Sequence, residues 1–221
     1  MFHLTLIEDT IQIHPSDLDK EFHKAVNEAI NRKYSNRVID NVGLCISVYD
    51  IKSIIDPFIH PSEGCTYLLK LVIFRMIIFR PFTGEIIRGV LNSSSEQGIT
   101  ISVGFFQDIF IPHSLLQKDS HFDSHNQRWI WNYDGDELAM DKGDIIRCRV
   151  ASETFVDVHP KEFQKNPEED TKKVSPYTIT CTIAEDGLGC VQWWEQGDEM
   201  EEDDDEGEGE DGDENEEGNE E

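Results

Sequence analysis

Residues Leu68–Phe79 constrain the fold more than any other stretch of the chain. Only Lys70 and Arg75 interrupt an otherwise apolar run, so both alternations of a strand are apolar there. Successive strand residues point to opposite faces, so such a strand must be covered on both sides. The run is too short and too charged to span a bilayer, which excludes a membrane-spanning reading. Met1–Thr10 has no basic segment or small-residue cleavage site of a secretory signal. A partner for the strand lies upstream, where Phe2, Leu4, Leu6, Ile11 and Ile13 predict an N-terminal strand. After His14-Pro15-Ser16, a helix capped by Ser16 is predicted to run to Tyr34. Leu18, Phe22, Ala25, Val26, Ala29 and Ile30 form its single apolar face. That helix covers one side of the sheet and leaves the other open.

Val38–Asp50 predicts a strand pair or one bent strand around Asn41-Val42-Gly43. The following segment, Ile54–Gly64, has loop-forming Pro and Gly but also Ile54, Ile55, Phe58 and Ile59. Loops are ordinarily polar because they run over the surface. An apolar loop either tucks under its own sheet or inserts into a partner. We take Val42, Gly43 and Leu44 with Ile54, Ile55, Phe58 and Ile59 as a candidate docking tip, with Gly43 permitting close approach.

From Pro81-Phe82-Thr83-Gly84 onward the periodicity is two. Glu85–Leu91, Ile99–Val103, Ile109–Ile111, Ile146–Val150 and Tyr177–Ile183 are five short alternating segments with no helix of useful length between them. This pattern predicts a small antiparallel barrel of the OB type. Two long connections interrupt it, at 115–143 and 151–176; the second is charged and reads as a flexible insertion. Arg88, Arg147 and Arg149 alternate with core positions and so face outward. With Phe105 and Phe106 nearby, they are candidate contacts for single-stranded RNA.

Charge separates the end of the chain from the rest. The net charge is −27, yet residues 195–221 hold 18 acids and no Lys or Arg, leaving 28 acids against 19 bases upstream, a net of −9. A segment whose one apolar residue is Met200 buries too little to offset its ordering entropy, so a disordered acidic tail is predicted. A mildly acidic body predicts weak RNA contact without sequence preference. The five cysteines lack CxxC spacing, which fits a reducing compartment rather than a disulfide scaffold or zinc ribbon. His121 and His125 have acids nearby but no convincing third ligand, and a solvated loop is the reading adopted. No P-loop or nucleophile motif is present, so neither an active site, a cofactor nor a metal is expected.

The order of elements resembles the larger stalk subunit of archaeal and nuclear RNA polymerases, most closely that of RNA polymerase III. Val42–Ile46, Val72–Arg75 with Arg80–Glu85, Gly98–Gly104 with Ile109–Pro112, and Asp186–Gly189 carry the resemblance, which spans about residues 1–192. It implies an α+β N-terminal domain over 1–80, a truncated ribonucleoprotein-like antiparallel sheet with one helix. An all-β OB barrel over 81–194 would follow. It also implies a nuclear, non-catalytic subunit in an obligate heterodimer with a small helical stalk subunit. Such a subunit docks on the RNA polymerase III core, supports initiation of small non-coding RNAs such as tRNA and 5S rRNA, and contacts nascent RNA or initiation factors. The rival readings are a free OB-fold RNA-binding factor of translation or RNA processing, and an acidic histone-type chaperone acting through residues 195–221.

Overall fold

The computed structural model describes residues 1–17, 19–60, 66–156 and 175–194; of residues 56–60 and 66–70 it gives the backbone path. The predicted tail at 195–221, most of the second insertion and Cys65 lie outside the described residues. β1 (Phe2–Ile13), β2 (Val38–Ile39), β3 (Gly43–His60) and β4 (Thr66–Phe79) form one antiparallel sheet in the order β1-β4-β3-β2. Helix α1 (Phe22–Tyr34) lies across one face. There Ala25, Val26 and Ile30 pack with Ile11, Ile13, Val72, Phe74, Met76 and Ile78.

The two-sided apolar character of β4 resolves into two environments. Val72, Phe74, Met76 and Ile78 are buried beneath α1. Ile73, Arg75 and Ile77 point the other way and are half-buried. Their cross-strand neighbours on β1 are Glu8, Leu6 and Leu4. Leu4 and Leu6 are exposed, Leu6 at 63%. The open face expected from the sequence is therefore present, with Arg75 bound by Asp50 of β3 through two hydrogen bonds of 2.8 and 2.6 Å. Those bonds hold the Asp50 carboxyl down at about 2.

Three local expectations are corrected. The helix starts at Phe22, not Ser16; residues Pro15–Asp17 form a separate 3-10 turn. Asp17 is buried there and paired with Lys20 at 3.1 Å and Arg32 at 3.3 Å, so the turn is fastened by ion pairs rather than spent on a cap. Ile54–Ile59 is not a loop. β3 continues to His60 against β4, with Phe58 opposite Leu68, because Pro57 sits in a long two-stranded arm. The insertion at 151–176 begins later than expected, since β11 (Ile145–Phe155) runs on through Ala151–Phe155. Its last residues are polar on the sequence pattern but find partners in the structure, as described below.

The barrel consists of β5 (Ile86–Ser95), β6 (Gly98–Ser102), β7 (Ile109–Pro112), β11 and β12 (Tyr177–Thr182). β5 pairs with β6, β6 with β7, β7 with β12 in parallel, β12 with β11, and β11 with β5, which closes the ring. This is the five-stranded OB arrangement. Ile87, Leu91, Ile99, Ile101, Ile109, Ile111, Ile146, Cys148, Ile179 and Cys181 fill its interior. The first insertion folds into a three-stranded meander, β8 (Ser120–Asp123), β9 (Arg128–Tyr133) and β10 (Asp136–Met140). Trp129 secures it by burying its ring and donating Nε1 to the Ser95 carbonyl at 2.9 Å. His121 consequently lies on a strand, and His125 in the turn that Asp123 closes by accepting its backbone N–H at 2.9 Å.

Candidate docking and nucleic-acid surfaces

The sheet and the barrel share a core. Phe79 is the last residue of β4 and is fully buried, yet its ring packs inside the barrel cluster, 5.3 Å from Phe106 and 5.0 Å from Phe105. Leu44, opposite Phe79 on β3, joins it there. Between Leu44 and Val42, Gly43 has φ +127°, and a Cβ would lie 2.8 Å from both Ile78 Cγ2 and the Phe79 carbonyl oxygen. Glycine is required because strand and junction approach too closely for a side chain.

Arg80 locks the joint. Its Nε donates to Glu153 Oε1 and Oε2 at 3.0 and 3.1 Å, its Nη2 donates to the same carboxylate, and its Nη1 donates to the Asn41 carbonyl at 2.6 Å. The Tyr177 hydroxyl donates to Glu153 Oε2 at 3.1 Å, and the Arg80 guanidinium lies over Phe155, which stacks on Tyr177. These contacts explain why β11 persists past its apolar pattern. The Arg80 hydrogen bonds hold the Glu153 carboxyl below its ordinary value. Burial pushes the Tyr177 phenol up. Sequence reading missed Glu153 because it falls in a charged stretch, where one acid among many carries no signal.

The predicted docking residues divide between two places. Val42, Gly43 and Leu44 sit at the joint, and Val42 packs against the helix-covered core. Ile54 also packs on that core, whereas Ile55 is exposed. Leu44 and Ile55 are about 35 Å apart along β3 at roughly 3.3 Å per residue. They do not form one tip. The backbone at Phe58 and Ile59 pairs with Leu68 and Tyr67 near the far end of the β3–β4 arm; their side chains lie outside the described residues.

The predicted RNA residues also separate. Arg88 and Arg147 are directly opposed on β5 and β11, and Arg149 faces Ile86. They share one outer face with exposed Ile86, Val90 and Ile145. That face belongs to the first and fourth barrel strands, not to the second and third, where OB folds commonly bind ligands. Arg149 is spoken for: Nε and Nη2 meet Glu185 at 3.0 and 2.9 Å, and Nη1 donates to the Gly84 carbonyl at 3.1 Å. Arg147 donates to the Gly187 carbonyl at 3.3 Å, and exposed Arg88 makes no ion pair among the described residues. Phe106 is core; Phe105 is half-exposed but packs on Phe2 and Phe79 at the joint.

Because Glu153 is held low, its ionised form stabilises the joint at neutral pH, and that contribution is lost as pH falls from about 4.5 through the lowered value. Glu153→Gln is predicted to cost roughly 1–2 kcal/mol at pH 7, where Arg80 is partly exposed, and progressively less as the pH falls below about 4.5. Chemical denaturation across this range would show the variant's acid limb flatter than the native one. Parallel limbs would contradict the assignment.

Comparison with known proteins places this geometry. The family description "RNA polymerase III subunit Rpc25" matches residues 85–194. The "SHS2 domain found in N terminus of Rpb7p/Rpc25p/MJ0397" matches residues 8–64. The chain is 38% identical over 203 residues to DNA-directed RNA polymerase III subunit RPC8 of Bos taurus, covering 88% of this chain and 98% of that one. It is 41% identical over 206 residues to rpc8 of Schizosaccharomyces pombe, covering 88% and 100%. Similarity at 22% over 152 residues reaches the archaeal RNA polymerase subunit Rpo7 of Sulfolobus acidocaldarius, covering 69% and 81%. With a sheet domain and an OB barrel joined at Phe79 and Arg80 and relatives of this identity along most of its length, the chain belongs to the RPC8 (Rpc25) family of RNA polymerase III subunits.

Proposed function

We propose that the chain is a nuclear, non-catalytic stalk subunit of RNA polymerase III, and that its small helical partner covers the open face of the sheet. The observation that carries this is the unpaired apolar stripe Leu4, Leu6, Ile73 and Ile77 on the side opposite α1. The stripe runs into a corner with the barrel, where Phe2, Phe82 and Phe105 are also exposed, Phe82 at 65%. An apolar patch of this kind marks a protein interface. An amphipathic helix laid into the corner would bury the stripe and pair with Arg75 and Asp50 along its polar edge. The far end of the β3–β4 arm, beyond exposed Ile55, is the part that reaches the polymerase core. In this arrangement the barrel supports initiation on genes for small non-coding RNAs and meets initiation factors or nascent RNA.

Burying one large apolar side chain contributes roughly 1.5–3 kcal/mol. Leu4→Asp with Leu6→Asp removes two and places charges in the interface, without touching either core. Co-purification of other polymerase III subunits with the tagged chain should fall by orders of magnitude, while the variant keeps a native circular dichroism spectrum. Full recovery of the polymerase by the double variant would rule the face out.

For RNA, the reading narrows to Arg88 and Arg147. Two phosphates neutralised on a single strand give a salt slope of about −1.4, at about −0.7 each. Anisotropy with a short mixed-sequence RNA should show this slope collapsing in Arg88→Ala/Arg147→Ala and surviving in Arg149→Ala, whose charge Glu185 already meets. Equal slopes in all three proteins would make these arginines solvated surface only.

A further inference from the structure

The meander carries an aromatic ladder that the polymerase assignment leaves unused. Trp129, Trp131 and Tyr133 occupy alternate positions of β9 and so share a face. Trp129 is buried on the barrel, Trp131 is half-buried, and Tyr133 is 55% exposed. The Trp131 ring lies 4.8 Å from that of Tyr133 and 5.4 Å from that of Trp193. Trp193 is seated by Gly189, whose φ is +103° and where a Cβ would meet the indole at 2.5 Å.

The surroundings of the ladder suit a cation. Asp136 is directly opposite Tyr133 on β10 and so flanks it on the same face. Asp134 is in the connecting turn, and neither acid makes an ion pair among the described residues. Gln117 is only 7% exposed, and its Oε1 has no hydrogen-bond partner; its amide lies against Gly189 beside the Trp193 ring. Ser120, opposite Trp131 on β8, likewise has a buried hydroxyl oxygen without a partner. Both oxygens are closed off from the surface, so a cation at the ladder meets the ring faces and the carboxylates. The chain leaves Trp194 directly into the segment with 18 acids and no bases.

We propose that the Trp193–Trp131–Tyr133 ladder, with Asp136 at its rim, docks a lysine- or arginine-rich segment of a partner protein. The aromatic faces hold ammonium or guanidinium groups by cation–π attraction, and the acidic C-terminal segment raises the encounter rate of a basic partner. A single-stranded nucleic acid would also stack on aromatic faces. The carboxylates around the ladder and beyond Trp194 repel its phosphates, which favours the basic protein segment.

The test uses the full chain within its purified polymerase complex and a short fluorescein-labelled peptide of alternating lysine, arginine and glycine, at about 0.15 M salt. Tyr133→Ala, at an exposed site, should weaken peptide binding about fivefold, while Tyr133→Phe, which keeps the ring face, stays near native. Asp136→Asn should weaken it about twofold, and acetylating the peptide lysines should weaken it further. Deleting residues 195–221 should slow association but leave the Tyr133 effect intact. Four results would overturn the proposal: no effect of Tyr133→Ala, equal loss in Tyr133→Phe, complete loss on deleting 195–221, or direct binding of a labelled oligothymidine that Tyr133→Ala weakens more than it weakens peptide binding.

Discussion

Phe79 completes two domains at once, and the reach of every surface on the chain depends on that. It ends the central strand of the sheet and fills the barrel core beside Phe106, so the sheet cannot swing without opening the barrel. Arg80 adds direction to this apolar contact. Its planar fork meets both oxygens of Glu153 and the Asn41 carbonyl, tying β11 and the β2–β3 turn to one guanidinium. Lysine at this position would offer a point charge in place of the fork. The apolar contact supplies the stability and the polar lock supplies the angle.

A fixed angle is what the proposed stalk role needs. The open sheet face and the β3–β4 arm belong to the sheet, and the arginine face of β5 and β11 belongs to the barrel. Each surface is modest alone. Held in one frame, the surfaces proposed for a partner, the polymerase body and RNA keep set separations, and binding of any partner to the folded state adds its own stabilisation by mass action. The free cysteines Cys45, Cys148, Cys181 and Cys190 are all buried; burial raises the Cys45 thiol to about 11 and the Cys190 thiol to about 12. They act as small core residues in this frame, not as reactive groups.

The barrel was legible in the sequence because stretches such as Ile99–Val103, Ile146–Val150 and Tyr177–Ile183 alternate, and the helix-covered half of the sheet because Ala25, Val26, Ala29 and Ile30 recur at helical spacing. The open face was legible as a deficit, an apolar strand with cover for one side only. What escaped was anything held by polar contacts between distant segments. Glu153 joins Arg80 across 73 positions, and nothing local distinguishes it from its acidic neighbours. Pro57 reads as part of a loop, although β3 carries it within a long arm paired to β4. Val42–Leu44 and Ile54–Ile59 were grouped as one tip because a sequence gives apolarity but not the length of the strand between them. Likewise, alternation showed that the three arginines face outward, but not that Glu185 already neutralises one.

Unfolding of the Phe79→Ala variant tests the shared core most directly. If sheet and barrel are one cooperative unit, the native chain unfolds in a single denaturant transition, with tryptophan fluorescence reporting the barrel and circular dichroism the whole fold at the same midpoint. Removing the ring should cost roughly 3–5 kcal/mol and split the two probes, the sheet domain melting before the barrel. A variant that loses less than about 1 kcal/mol and keeps coincident transitions would mean that the two domains do not depend on Phe79.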